Sequence, residues 1–194
     1  MSNQIETHIE IQLTNRNRAT VFWRGILIVP AGIFIGSFTQ VLHLGWSTPI
    51  LVIPVALALV FREVYPSYAL TFNHALMELG TRVSAYAFLL SDDYPSIERN
   101  PNVAVIFPDV EGGKKLNRWL PLVKWFLAIP LYIVGAIYLL VAFILTIYAW
   151  ITTSITGNYP ETVAKMVFGT VEYWNRVYGY AAALVTDEYP SFSI

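Results

Sequence analysis

The chain has 194 residues, of which 56% are hydrophobic and 13% charged, with no cysteine and a formal net charge of −1. A soluble domain carries about 25% charged residues, so there are too few here to cover a water-facing surface, and mean hydropathy is +0.53. Disorder, coiled coil, disulfide scaffolds, thiolate metal sites and cysteine nucleophiles are excluded; with no basic excess, nucleic acid is not an expected partner, and an integral membrane protein remains.

Met1 to Arg18 is polar and mixed, without the apolar run of a secretory signal. Within it Ile9 to Leu13 alternates apolar with polar, which predicts a short half-exposed strand. The first apolar block runs from Val21 to Phe61 and contains one charge, Arg24. A bilayer core takes ~20 apolar residues per helix. Two crossings therefore fit, over about 20–42 and 49–63, with the break at His43-Leu44-Gly45-Trp46-Ser47-Thr48-Pro49. The second block, Trp119 to Ile155, contains only Lys124 as a charge and no Gly-Pro cluster. It fits either two short spans or one long helix, tilted or kinked at Pro130; two spans are preferred by analogy with the first block.

The chain also matches itself. Tyr65-Pro66 recurs as Tyr159-Pro160, 94 positions on, and at that offset Glu78, Arg82, Tyr86 and Leu90 fall on Glu172, Arg176, Tyr180 and Leu184. One inserted residue later Asp92-Asp93-Tyr94-Pro95-Ser96 falls on Asp187-Glu188-Tyr189-Pro190-Ser191. Upstream, Arg24 and Pro30 fall on Lys124 and Pro130, and Val103 to Phe107 stands where the N-terminal strand stands. A tandem duplication is the expectation, with repeats over 1–97 and 98–194. Each holds a strand, a basic turn, an apolar block, Tyr-Pro, an amphipathic helix (67–90 and 161–185) and an acidic turn.

Tyr-Pro, a helix carrying Arg-Val-x-x-Tyr, and Thr-Asp-Glu-Tyr-Pro-Ser-Phe-Ser near the C-terminus resemble a bacterial membrane-protein family catalogued as domain of unknown function four-three-eight-nine. The resemblance is best from Trp119 to Ile194. It implies a membrane protein of bacterial type and supplies no catalytic or binding residue.

In the amphipathic helices Glu78, Arg82 and Tyr86, and Glu172, Arg176 and Tyr180, are spaced i, i+4, i+8 and form one polar stripe per helix. Two readings stand. Either the helices lie at the membrane interface with solvated stripes, or they pack inside the protein and the stripes bury two Glu–Arg pairs between the repeats. Gly32 and Gly36, spaced as Gly-x3-Gly in an apolar helix, form a candidate helix-packing face. His8, His43 and His74 lack the clustered partners of a metal site. No catalytic residue, metal or cofactor is therefore expected.

Basic residues gather before each block: Arg16, Arg18 and Arg24, then Arg99, Lys114, Lys115, Arg118 and Lys124. The positive-inside rule then places both termini in the cytoplasm. The expected fold is an all-α integral membrane protein. It consists of two tandem repeats of transmembrane hairpin (or long kinked helix) plus amphipathic helix, with short cytoplasmic β-strands. The expected function is a non-enzymatic scaffold or accessory subunit in the inner membrane, partnered by the bilayer and by other membrane subunits or itself. The alternative is a transporter, channel or lipid-handling protein using the Glu–Arg stripes.

Overall fold

A computed structural model describes residues 3–38, 51–98 and 100–194. The turn expected at His43 to Pro49, and Arg99, lie outside the described residues. The chain opens with β1 (Glu6–Ile9) and enters the first apolar block as α1 (Arg18–Phe22), α2 (Arg24–Leu27) and α3 (Val29–Ser37). It continues as α4 (Val52–Arg62), α5 (Ser67–Ala87) and β2 (Val103–Ile106). Single turns at Glu111–Gly113 and Leu120–Leu122 lead to α6 (Lys124–Leu127), α7 (Ile129–Thr156) and α8 (Glu161–Ala181).

The expected two-repeat, multi-span membrane fold is not what forms. Among the described residues α7 alone is long and apolar enough to cross a membrane. The first block is broken at Trp23 and Ile28 into short pieces, and α3 and α4, with 9 and 11 residues, fall short of a span. The second block is one uninterrupted helix of 28 residues. Pro130 sits in its first turn, where the missing N–H costs nothing, so it starts the helix instead of kinking it. Short strands do form beside the helices: β1 and β2 pair antiparallel, with Glu6 opposite Ile106 and Ile9 opposite Val103. The first strand begins three residues before the expected stretch at Ile9 to Leu13 and shares only Ile9 with it.

Two strands alone are marginal in water; these are held by the helices beneath them. Each amphipathic helix is covered on two opposite faces. Tyr173 of α8 turns to α7 and donates its hydroxyl to the Leu131 carbonyl at 2.8 Å. Two residues on, about 200° round the helix, Asn175 Nδ2 donates to Thr7 Oγ1 at 2.9 Å, on the strand side. Gly179, one turn further, makes room for Ile5. In α5, His74 Nε2 meets the Val105 carbonyl of β2 at 2.6 Å, while Gly80 looks away from the ribbon toward Ile35 of α3. Between α5 and α8, Asn175 Nδ2 also donates to Thr81 Oγ1 at 3.0 Å.

The result is three layers. The β ribbon with its flanking extended chain is one, α5 and α8 the second, and the apolar helices the third. In the third layer α1 lies beside the C-terminal part of α7, where Trp150 Nε1 donates to the Val21 carbonyl at 3.0 Å. The end of α4 meets the chain before α6, where Arg118 Nη2 donates to the Val60 carbonyl at 2.8 Å. α7 turns Leu131, Gly135, Ala142, Ala149 and Thr153 inward. Four of these are small, so the backbones of α7 and α8 come close; a Cβ on Gly135 would meet Trp174 at 2.8 Å. Most of the outward side chains of α7 are exposed and apolar, Ile133, Leu140, Phe143 and Ile155 among them. Only 17% of its most apolar stretch is buried, unlike the core helix of a soluble domain.

Candidate functional site

A cation inside an apolar stretch needs a counter-ion or it costs several kcal/mol. Arg24 and Lys124 are such cations, 3% and 1% exposed. Each is met by the carboxylate that follows the amphipathic helix of its own half. Arg24 Nη2 lies 2.5 Å from Asp92 Oδ1, and its Nη1 donates to the Ser91 carbonyl at 3.0 Å. Lys124 Nζ lies 2.7 Å from Asp187 Oδ1 and donates to the Thr186 carbonyl at 2.7 Å. An asparagine backbone N–H closes each cluster: Asn17 to Asp92 Oδ2 at 3.1 Å, Asn117 to Asp187 Oδ2 at 2.5 Å. A tyrosine ring covers each cation, Tyr86 at 3.8 Å from the Arg24 guanidinium and Tyr180 at 5.1 Å from Lys124 Nζ. These two clasps tie the start of each apolar run to the end of the helix beneath it.

The first clasp has an extra member. Buried Arg16 donates Nη2 to Asp92 Oδ1 at 2.6 Å and Nη1 to the Gln12 and Leu89 carbonyls. Burial alone would raise the Asp92 carboxyl. The Arg16 hydrogen bond and charge, the Asn17 N–H and the Arg24 charge outweigh it and hold Asp92 below its ordinary value. Burial also pushes the Tyr65 hydroxyl up to about 12 and raises that of Tyr159, so both stay donors. Tyr65 Oη donates to the Ala183 carbonyl at 2.6 Å and Tyr159 Oη to the Phe88 carbonyl at 3.1 Å. The start of each amphipathic helix is thus fastened to the end of the other. Their oxygens are met by cations and N–H groups, so the clasp carboxylates hold geometry; Asp92, held below its ordinary value, is not poised to exchange protons near neutrality.

The striped residues are placed as follows. Tyr86 and Tyr180 belong to the clasps. Arg82 donates Nε to the Glu78 carbonyl at 3.3 Å, and its Nη1 donates to the Glu98 carbonyl. Arg176 donates Nη2 to the Ser193 carbonyl at 2.6 Å. Each arginine thus grips the tail that follows its own helix. Glu78 lines a groove of about 580 Å³ with His74, Val105 and Asp109, and Glu172 is half-buried on α8. Among the described residues the polar side chains that join α5 to α8 are Thr81 and Asn175. Gly32 and Gly36 lie on α3, and a Cβ on either would meet nothing within 4 Å among the described residues. No group of three or more His or acidic side chains among the described residues is placed to hold a metal.

Aligned on itself, the sequence sets Arg24 against Lys124 and Asp92 against Asp187; the structure joins cation to carboxylate in each pair. The signal was present: one charge in each apolar block, and an acidic turn recurring beyond each helix. Residues 119–193, which carry α7, α8 and the Lys124–Asp187 clasp, match the family model described as "Domain of unknown function (DUF4389)". No curated protein and no solved structure matches the chain.

Proposed function

We propose that this protein is a non-enzymatic membrane protein, a scaffold or accessory subunit that works with other membrane subunits or with a second copy of itself. The carrying observation is α7: its outward surface is apolar over most of its length, and only 17% of its most apolar stretch is buried. Such a surface belongs in contact with lipid or with a partner's apolar face. The polar machinery supports the same reading, since both clasps spend their charges on fastening helices. The bacterial inner membrane is the location that the family resemblance implies. The ends of the chain belong on one side: the Asn3 N–H donates to the Glu188 carboxylate at 3.1 Å and Gln4 Nε2 to the Tyr189 carbonyl at 3.1 Å. The basic residues gathered before each apolar block, Arg16 and Arg18, then Lys114, Lys115 and Arg118, favour the cytoplasm as that side.

Native mass spectrometry of the protein extracted in mild detergent tests this. The expected result is a stoichiometric complex with another membrane protein or with itself. A bare monomer that supports ion flux or lipid scrambling in liposomes, lost on Glu172→Gln, would replace the scaffold reading with a transport one.

A further inference from the structure

From the three-layer order we infer that α7 does not cross the bilayer but lies along it, and that the apolar layer docks into the acyl chains of a single leaflet. The inference rests on the membrane reading above and adds its geometry. Along α7's inward face α8 runs antiparallel, from Tyr173 on the Leu131 carbonyl to Val163 in one cluster with Ala149. On the other face of α8 the N-terminal chain, β1 and the residues flanking it, runs the same length. It begins with Ile5 against Gly179 and ends where the Tyr159 N–H donates to the Leu13 carbonyl at 2.8 Å. Any tilt that took α7 through the bilayer would drag both companions with it, and with them exposed Glu6 and Glu10 to membrane depth. Laid flat, the same molecule puts every one of these charges in water.

Thickness agrees. A helix with side chains is about 10 Å across, interfacial helices bury their apolar face about 5–10 Å deep, and half of a hydrocarbon core is about 15 Å. One helical layer fits one leaflet. Charge at the margins fixes lipid as the occupant. Arg18 donates to the Thr156 carbonyl at 3.2 Å at one end of α7, and exposed Lys114 precedes the other, beside Lys115 and Arg118, which are paired with Glu111 and Glu63. Cations at both ends of a flat helix face one anionic headgroup surface; on a crossing helix one set would stand on the wrong side. Exposed Trp23 and Trp119, also near opposite ends, sit at the headgroup level in the flat pose.

The test uses sealed vesicles of phosphatidylcholine and phosphatidylglycerol holding the full chain, which has no native cysteine. In the double variant K115C/E161C both positions are exposed and flank α7. An impermeant thiol reagent is added outside and the labels per molecule are counted by mass. A flat α7 gives molecules with two labels or none, whichever way the protein inserted. A crossing α7 gives one label on every molecule; this overturns the inference and leaves the membrane reading intact. In a second set, a polarity-sensitive fluorophore at I133C, F143C or I155C is quenched by lipids brominated at defined depths. Equal, shallow quenching at all three supports the flat pose; deepest quenching at F143C overturns it. Membrane-bound protein with no quenching and a doubled mass would mean that a second copy covers α7, which overturns the leaflet docking alone. Failure to associate with vesicles at all would overturn the membrane reading as well.

Discussion

Asp92 is the residue on which most of the charge depends. It neutralises Arg16 and Arg24 together, and both are buried. Asp92→Asn should leave two buried guanidinium groups without a counter-ion and cost ~3–5 kcal/mol, measured as a loss of thermal stability in detergent. Asp187→Asn strands one cation, Lys124, and should cost less. Acid should act on the same group. Because the folded-state pKa of Asp92 is depressed, its ionised form is bound more tightly in the folded chain. That stabilisation is present in full above the unfolded value of about 3.9 and is lost as pH falls through the lower folded value. Melting temperature should therefore drop below about pH 4 in the native protein, and this part of the drop should vanish in Asp92→Asn.

At the scale of elements the contact between α7 and α8 decides the packing. Gly135→Val would push a branched side chain into Trp174, which already stands 2.8 Å from an added Cβ, and should cost ~1–3 kcal/mol by overpacking. Gly32→Ala on α3 meets nothing within 4 Å among the described residues; it should leave stability unchanged or raise it by up to about 1 kcal/mol through helix propensity. Thermal melts of the two variants in one detergent distinguish them. Much of this level is legible in sequence. The Tyr-Pro starts, the amphipathic helices and the strand at Val103 follow from local chemistry. The fate of the apolar blocks does not. Hydropathy measures how much a segment dislikes water, and a helix lying in a membrane satisfies that as fully as a helix crossing one. Only the length over which α8 lies against α7 separates the two cases, and that depends on which faces meet. For the same reason the i, i+4, i+8 spacing finds the polar stripes but not what Arg82 and Arg176 hold.

For the molecule as a whole the fastening is reciprocal. Tyr65 is bonded to Ala183, Tyr159 to Phe88, and β1 to β2. Neither 1–97 nor 98–194 contains both members of any of these pairs. Expressed alone, each fragment should aggregate or stay protease-sensitive; expressed together, they should associate and recover the protease resistance of the intact chain. Limited proteolysis of the co-purified fragments is the measurement. Stable folding of either fragment by itself would show that the cross-fastening is dispensable.

The bond from Tyr65 to the Ala183 carbonyl spans 118 positions in sequence. During synthesis the first apolar block therefore leaves the ribosome long before the residue that fastens its far end exists. At roughly 5–20 residues per second the wait is roughly 6–24 s. Early in that interval Phe22 has no Trp150 to stack on, and β1 has no β2 beside it. A newborn chain in this condition must be received by a membrane surface or held by a chaperone until its last residues arrive. Reception of the chain thus precedes the fastening of its first half, and the order of events is written into a single tyrosine hydroxyl.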